Sequence, residues 1–231
     1  MEVERLTEAR ASKVESLNPE YLVQKPTNSK SAPLVIYLHG AGGVGNDIQK
    51  IKGQTRGLSS GIARFNKGEA YIIAPQAAQS PRKSDRGGWL HTDLNLLLED
   101  VLEKNDIDEK RIYLTGNSMG GYGSWMWGGY NPEHFAAIAP IVGGIGERGP
   151  KDVSDKIEFW AANLAKVPVY AFAGAKDKVV PAEYSERMVK LIEKAGGKKA
   201  KIKVFPEGGH GIRGEIFANS EYFDWMFSQS K

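Results

Sequence analysis

The chain contains no cysteine. That excludes a disulfide scaffold, a thiolate zinc site, an iron–sulfur cluster and a cysteine nucleophile. No apolar run approaches the roughly 18 residues of a membrane-spanning helix, so no membrane span is expected. The first twenty residues, MEVERLTEARASKVESLNPE, are charged and lack the apolar segment of a secretory signal. As given, that start fits a cytoplasmic protein; it equally fits a secreted or periplasmic one whose leader has been removed. Neither sign of charge dominates: 31 Lys and Arg stand against 28 Asp and Glu, a formal net charge of +3. The one dense basic stretch, KAGGKKAKIK at 194–203, reads as a solvated helix end and strand start. A nucleic-acid face needs a denser stripe, so no nucleic-acid partner is expected. Internal repeats, low-complexity tracts and interdomain linkers are also missing.

What is present suits an ordinary globular chain. Its 231 residues are 41% hydrophobic and 26% charged, enough to bury a core without staples. A single domain over 1–231 is expected, with residues 1–20 as a polar N-terminal extension and Tyr21–Val23 as a short edge strand. Short apolar runs follow at Leu34–Leu38, Tyr71–Ala74, Arg111–Thr115, Phe135–Val142, Val167–Ala173 and Lys201–Phe205. Runs of this length between turn signals suit interior strands of a parallel sheet. Asp93–Lys104 and Ala182–Ala195 carry apolar residues at helical spacing, the second ending at Gly196-Gly197 as a C-cap should, and Ser220–Phe227 is a last helix candidate. Alternating strands and helices imply an α/β fold with a mostly parallel sheet and helices on both faces.

Gly116-Asn117-Ser118-Met119-Gly120 reads G-x-S-x-G directly after the strand RIYLT and before a helix candidate, Gly121–Tyr130. A strand that turns sharply into a helix strains its apex residue and requires very small neighbours two positions either side. The apex side chain then projects above the C-terminal edge of the sheet, with the helix N-terminus beneath it. Ser118 is thus a candidate nucleophile, and a serine hydroxyl needs an adjacent base. Of four histidines, His210 lies in a Gly-rich loop after the last strand and is the candidate base. His39 ends an interior strand and braces its loop, His134 reads as a surface or packing residue, and His91 stays ambiguous. Asp177, after the strand VPVYAFAGA, is the candidate that orients the base, with Asp152 and Asp155 as rivals. Two backbone N–H groups should receive the developing oxyanion: Met119, and Ala41 from the loop HGAGG, with Gly40 as the alternative. GAGGVG at 40–45 also matches G-x-G-x-x-G, but no acidic residue ends a second strand about 20 residues on, which argues against a dinucleotide.

YLHGAGGVGND, RIYLTGNSMGGYGSW, NPEHFAAIAPIVGG, AFAGAKDKVVP and GGHG together resemble the serine α/β-hydrolases. More narrowly they resemble the small carboxylesterase, phospholipase/carboxylesterase and feruloyl-esterase-like group. The resemblance runs over about residues 20–231. It implies an α/β-hydrolase fold and ester hydrolysis through an acyl-serine intermediate, without metal or organic cofactor. It implies the triad Ser118, Asp177 and His210, with Ala41 and Met119 as oxyanion donors. Dienelactone hydrolases share this size but use cysteine, which sets the present chain apart from them. The stretch between the strands ending at Val142 and starting at Val167 is short and mixed, so little or no lid is expected. Gln76–Leu90 should border the site, in a role the sequence leaves open. Gly40, Trp89 and Tyr122 are the candidate substrate-binding residues, with Trp89 as cleft wall or core; Trp125 and Trp127 read as core packing. The expected partner is a small-molecule ester, of short-chain or aryl (hydroxycinnamoyl) type; no oligomeric state is specified. A serine peptidase or amidase of the prolyl-oligopeptidase type, and a non-catalytic binding protein on the same fold, are the alternatives.

Overall fold

The computed structural model describes residues 1–28, 30–79, 88–147 and 149–231. Its strands are β1 (Glu2–Arg5), β2 (Leu17–Gln24), β3 (Ala32–Leu38), β4 (Tyr71–Ala77), β5 (Ile107–Asn117), β6 (Ala137–Ile141), β7 (Val169–Gly174) and β8 (Ala200–Phe205). They form one sheet in the order β1-β2-β4-β3-β5-β6-β7-β8. β1 and β2, and β2 and β4, run antiparallel; every other neighbour is parallel. Every residue of β3, β4, β6 and β7 is buried, which is why these segments read as near-continuous apolar runs rather than as alternation, with Gln76 of β4 the buried polar exception.

The eight α-helices among the described residues are α1 (Glu8–Ala11), α2 (Lys52–Phe65), α3 (His91–Lys104), α4 (Met119–Tyr130), α5 (Ile157–Leu164), α6 (Ala182–Lys194), α7 (Arg213–Phe217) and α8 (Ser220–Phe227). One face of the sheet packs on α3, α4, α5 and α6 through Leu94, Trp125, Trp160 and Met188. The opposite face packs on α2, α7 and α8 through Leu58, Ile216 and Phe223. Trp125 and Trp127 are core residues, fully buried. None of the described helices is long and apolar enough to cross a membrane.

The first twenty residues are not an extension. They supply β1 and the start of β2, and Tyr21–Val23 belongs to a strand paired on both sides rather than to the edge. Their polar character has a physical cause. Asp93 Oδ2 accepts hydrogen bonds from the Glu15 and Ser16 N–H groups and from Ser16 Oγ, at 2.9, 2.6 and 2.8 Å. Asp100 Oδ1 accepts one from the Thr7 N–H at 3.0 Å. The segment is held to α3 by buried carboxylates, and no hydrophobic period announces that kind of attachment.

Candidate active site

Ser118 sits between β5 and α4 with φ 59° and ψ −114°, the strained backbone expected of an elbow apex. The strain is held by the packing around it. The Ser118 N–H donates to Ile141 O at 2.9 Å, tying the apex to β6. A Cβ on Gly116 would collide with the Gly120 carbonyl, and one on Gly120 with the Leu38 carbonyl. Only glycine fits either position.

The loops after β7 and β8 bring the other two residues to this apex. Asp177 follows β7, and its Oδ1 accepts hydrogen bonds from the Val179 and Val180 N–H groups at 2.8 and 3.0 Å. The carboxylate is fully shielded from solvent. His210 follows β8. Its turn is tied to that of Asp177, because the Lys176 N–H donates to Gly208 O at 2.8 Å. Gly174 lets the turns approach: a Cβ there would meet the carbonyls of Gly208 and Gly209. His210 Nδ1 lies 2.7 Å from Asp177 Oδ2, and His210 Nε2 lies 2.8 Å from Ser118 Oγ. An ionised carboxylate only accepts, so Nδ1 carries the proton and donates to it. Nε2 is then the acceptor for the Ser118 hydroxyl.

The loop after β3 completes the surroundings. Among the described residues, the backbone N–H groups of Ala41 and Met119 have no hydrogen-bond partner, and both residues line the space over Ser118. The Gly40 N–H is already engaged, donating to Gln54 Oε1 at 3.1 Å. Gly40–Gly45 forms no phosphate-cradling helix start; it makes a single 3-10 turn over Ala41–Gly43. Over Ser118 opens a cavity of about 380 Å³, walled by Val44, Met119, Tyr122, Pro150, Val179 and Val180. Glu147 contributes the charged side chain among the described lining residues, and its Oε1 accepts from Ser154 Oγ at 3.0 Å. Burial, reinforced by the Glu147 charge, pushes the Tyr122 hydroxyl well above its ordinary range.

Of the three candidate substrate-binding residues, Tyr122 lines the cavity over Ser118, while Gly40 and Trp89 do not. Trp89 is buried, edge-on to His39 at 4.9 Å, and would be struck by any Cβ on Gly123 of the elbow helix. It supports the elbow from within. His91 stacks on Tyr130 at 4.1 Å, away from the Ser118–His210 pair, and the rival Asp155 is an exposed partner of Lys156 at 3.1 Å. Of Gln76–Leu90, residues 80–87 lie outside the described residues.

His39 braces its loop as expected. The Ala77 N–H can only donate, so Nε2 accepts from it at 2.9 Å, and Nδ1–H donates to Gly40 O at 2.7 Å. Burial lowers the His39 pKa to about 4, from a model-compound value of 6.5. An unfolded histidine takes up its proton as pH falls through 6.5, whereas the folded one stays neutral until about 4. The unfolded state then binds more protons in that window, so stability falls as pH drops through it. The loss is on the order of 2–4 kcal/mol. His39→Gln, which can keep both hydrogen bonds without titrating, should show a shallower decline in urea-unfolding free energy between pH 6.5 and 4. Identical slopes in the two proteins would contradict this.

The sequence pattern of the dienelactone hydrolase family matches residues 20–221. The chain belongs to this family. Its lack of cysteine did not place it outside: the elbow of this member carries Ser118. A carboxymethylenebutenolidase-like protein of Salmonella typhimurium is 30% identical over 115 residues, which are 48% of this chain and 40% of that protein. The match thus spans less than half the length of that curated relative. A feruloyl esterase C-like protein of Aspergillus flavus is 24% identical over 67% of this chain and 57% of its own length. Among solved structures, a thermostable esterase superposes with a TM-score of 0.77 at 28% identity, covering 92% of this chain and 59% of that one. These likenesses agree with the observed architecture, an α/β-hydrolase sheet with helices on both faces.

Proposed function

We propose that this dienelactone hydrolase family member is a serine carboxylesterase acting on small carboxylic esters through an acyl-serine intermediate. The observation that carries this reading is the hydrogen-bond chain Ser118 Oγ–His210 Nε2, 2.8 Å, and His210 Nδ1–Asp177 Oδ2, 2.7 Å. Ser118 Oγ attacks the ester carbon as its proton passes to His210 Nε2. The carboxylate of Asp177 stabilises the imidazolium. The negative charge on the former carbonyl oxygen is received by the free N–H groups of Ala41 and Met119, where each donor contributes about 2.7–4 kcal/mol. His210 then protonates the departing alcohol, and water repeats the sequence on the acyl-enzyme. Serine acyl transfer of this kind needs neither metal nor organic cofactor.

The cavity sets the substrate range. A volume of about 380 Å³ stands at the small end of ligand pockets. Its apolar walls suit a short acyl chain or a single aromatic ring, including a hydroxycinnamoyl group. Similarity to a feruloyl esterase C-like protein supports including aryl acyl groups. With p-nitrophenyl esters of increasing length, kcat/KM should peak at acetate to butyrate and fall at least tenfold by dodecanoate, and methyl ferulate should be hydrolysed. A rise in kcat/KM with chain length would contradict the assigned range. Amide cleavage rivalling ester cleavage would favour a peptidase, and no hydrolysis of any ester would favour a binding protein.

A further inference from the structure

The donors that would receive the oxyanion are only as useful as the loop that aims them, and residues 40–47 hold few hydrogen bonds of their own. Within the loop, the Gly43 N–H donates to Gly40 O and the Val44 N–H to Ala41 O, at 2.9 and 3.2 Å. The Lys50 ammonium reaches Val44 O from outside at 2.7 Å. From the helical side, the Gly40 N–H donates to Gln54 Oε1 of α2 at 3.1 Å. Asp47 O and Oδ1 accept the Lys50 and Gln49 N–H groups at 3.1 and 3.0 Å. The other ties come from the end of β4. Gln76 is fully buried there. Its Nε2 donates to Gly43 O and to Asp47 O, both at 2.8 Å. Its Oε1 accepts from Asn18 Nδ2 at 2.8 Å. Asn18 cannot turn over, because its Oδ1 accepts the Glu20 N–H at 3.0 Å. The orientation of Gln76 is therefore forced: the reversed amide would set its oxygen against two carbonyls and its NH₂ against another NH₂. The next residue adds two more ties. Ala77 O accepts the Gly45 N–H at 3.0 Å, and the Ala77 N–H reaches Gly40 O through His39. Two adjacent residues of β4 thus fasten the loop at positions 40, 43, 45 and 47, on both sides of Ala41.

We propose that Gln76 is a positioning residue for the oxyanion loop, held in turn by Asn18 of β2, so that this antiparallel strand takes part in aiming the Ala41 N–H at the reacting carbonyl. The proposal rests on the esterase reading above. A neutral amide is the side chain that can do this: it offers two donors to two carbonyls and one acceptor to Asn18. Ground-state substrate binding draws mainly on the cavity walls, which Gln76 does not reach. Its loss should act on the transition state, where the donors are needed.

Gln76→Glu keeps the shape and removes both donors. On p-nitrophenyl butyrate, kcat should fall about 10–100-fold with KM within about threefold. The inhibition constant of a butyl trifluoromethyl ketone, which forms a tetrahedral adduct, should rise by the same factor as kcat/KM falls. Asn18→Ala leaves Gln76 in place but untethered, and should lower kcat about three- to tenfold; it stands in should Gln76→Glu not fold. Val101→Ala, a buried change in the later turns of α3, provides a control of lowered melting temperature with unchanged kcat. If folded Gln76→Glu, or Asn18→Ala in its stead, kept kcat within twofold, or lost it without weaker inhibitor binding, the positioning role would be refuted while the esterase reading stood. A wild-type protein inactive on all esters would instead remove the reading beneath it.

Discussion

Ser118→Ala is expected to lower kcat on p-nitrophenyl butyrate by on the order of 10⁴–10⁶-fold while leaving the protein folded. The substitution removes one oxygen and nothing else that the elbow uses. The Ser118 N–H would still donate to Ile141 O, and the Tyr122 N–H would still reach the carbonyl of residue 118. The positive φ of 59° is no harder for alanine than for serine, since both carry a Cβ. Circular dichroism and melting temperature should therefore be close to wild type. What activity remains would come from the Ala41 and Met119 donors and from binding, which by themselves still exceed the uncatalysed rate. A folded variant that kept most of its activity would remove Ser118 from the chemistry.

Asp177→Asn should cost about as much as a wrong tautomer costs in this kind of triad, roughly 10⁴-fold in kcat. The local hydrogen bonds dictate why. Asp177 Oδ1 is committed to the N–H groups of Val179 and Val180. An asparagine must keep its oxygen there, so its NH₂ would face His210 Nδ1. That nitrogen would have to accept, moving the ring proton to Nε2, where Ser118 Oγ lies at 2.8 Å. The base would then present a donor to the very hydroxyl it must deprotonate. Because the amide keeps the shape of the carboxylate, steady-state kinetics should show the loss in a protein whose melting temperature is little changed. Activity within tenfold of wild type would mean that His210 needs no such partner.

The elbow was legible because its physics leaves few choices. A strand, two flanking glycines and a helix must occur in that order around Ser118, and the Leu38 and Gly120 carbonyls forbid anything larger. Asp177 and His210 followed from lying after apolar strands that had to reach the same sheet edge. The helix α2 was not legible. Gly53, Gly57 and Gly61 depress its helix propensity, and the last two are there for packing: Phe217 and Phe223 press against the positions their Cβ atoms would take. The N-terminal strands escaped for a different reason, since buried carboxylates of α3 rather than an apolar stripe hold their connecting segment. Trp89 was ambiguous in the sequence, where it follows the polar stretch 79–86 and two glycines; only the packing against Gly123 and His39 shows that it faces inward. Gln76 gave no signal at all. Its importance depends on which carbonyls end beside it, and neither Gly43 nor Asp47 is near it in the chain.

The most direct test of the central claim is covalent. A fluorophosphonate reagent incubated with the protein at neutral pH should leave a single phosphonyl adduct, and peptide mass spectrometry should find it on Ser118. The same treatment should leave Ser118→Ala unlabelled and Asp177→Asn labelled far more slowly. An adduct on another residue, or no adduct on the folded wild-type protein, would contradict the assignment of Ser118 as the nucleophile.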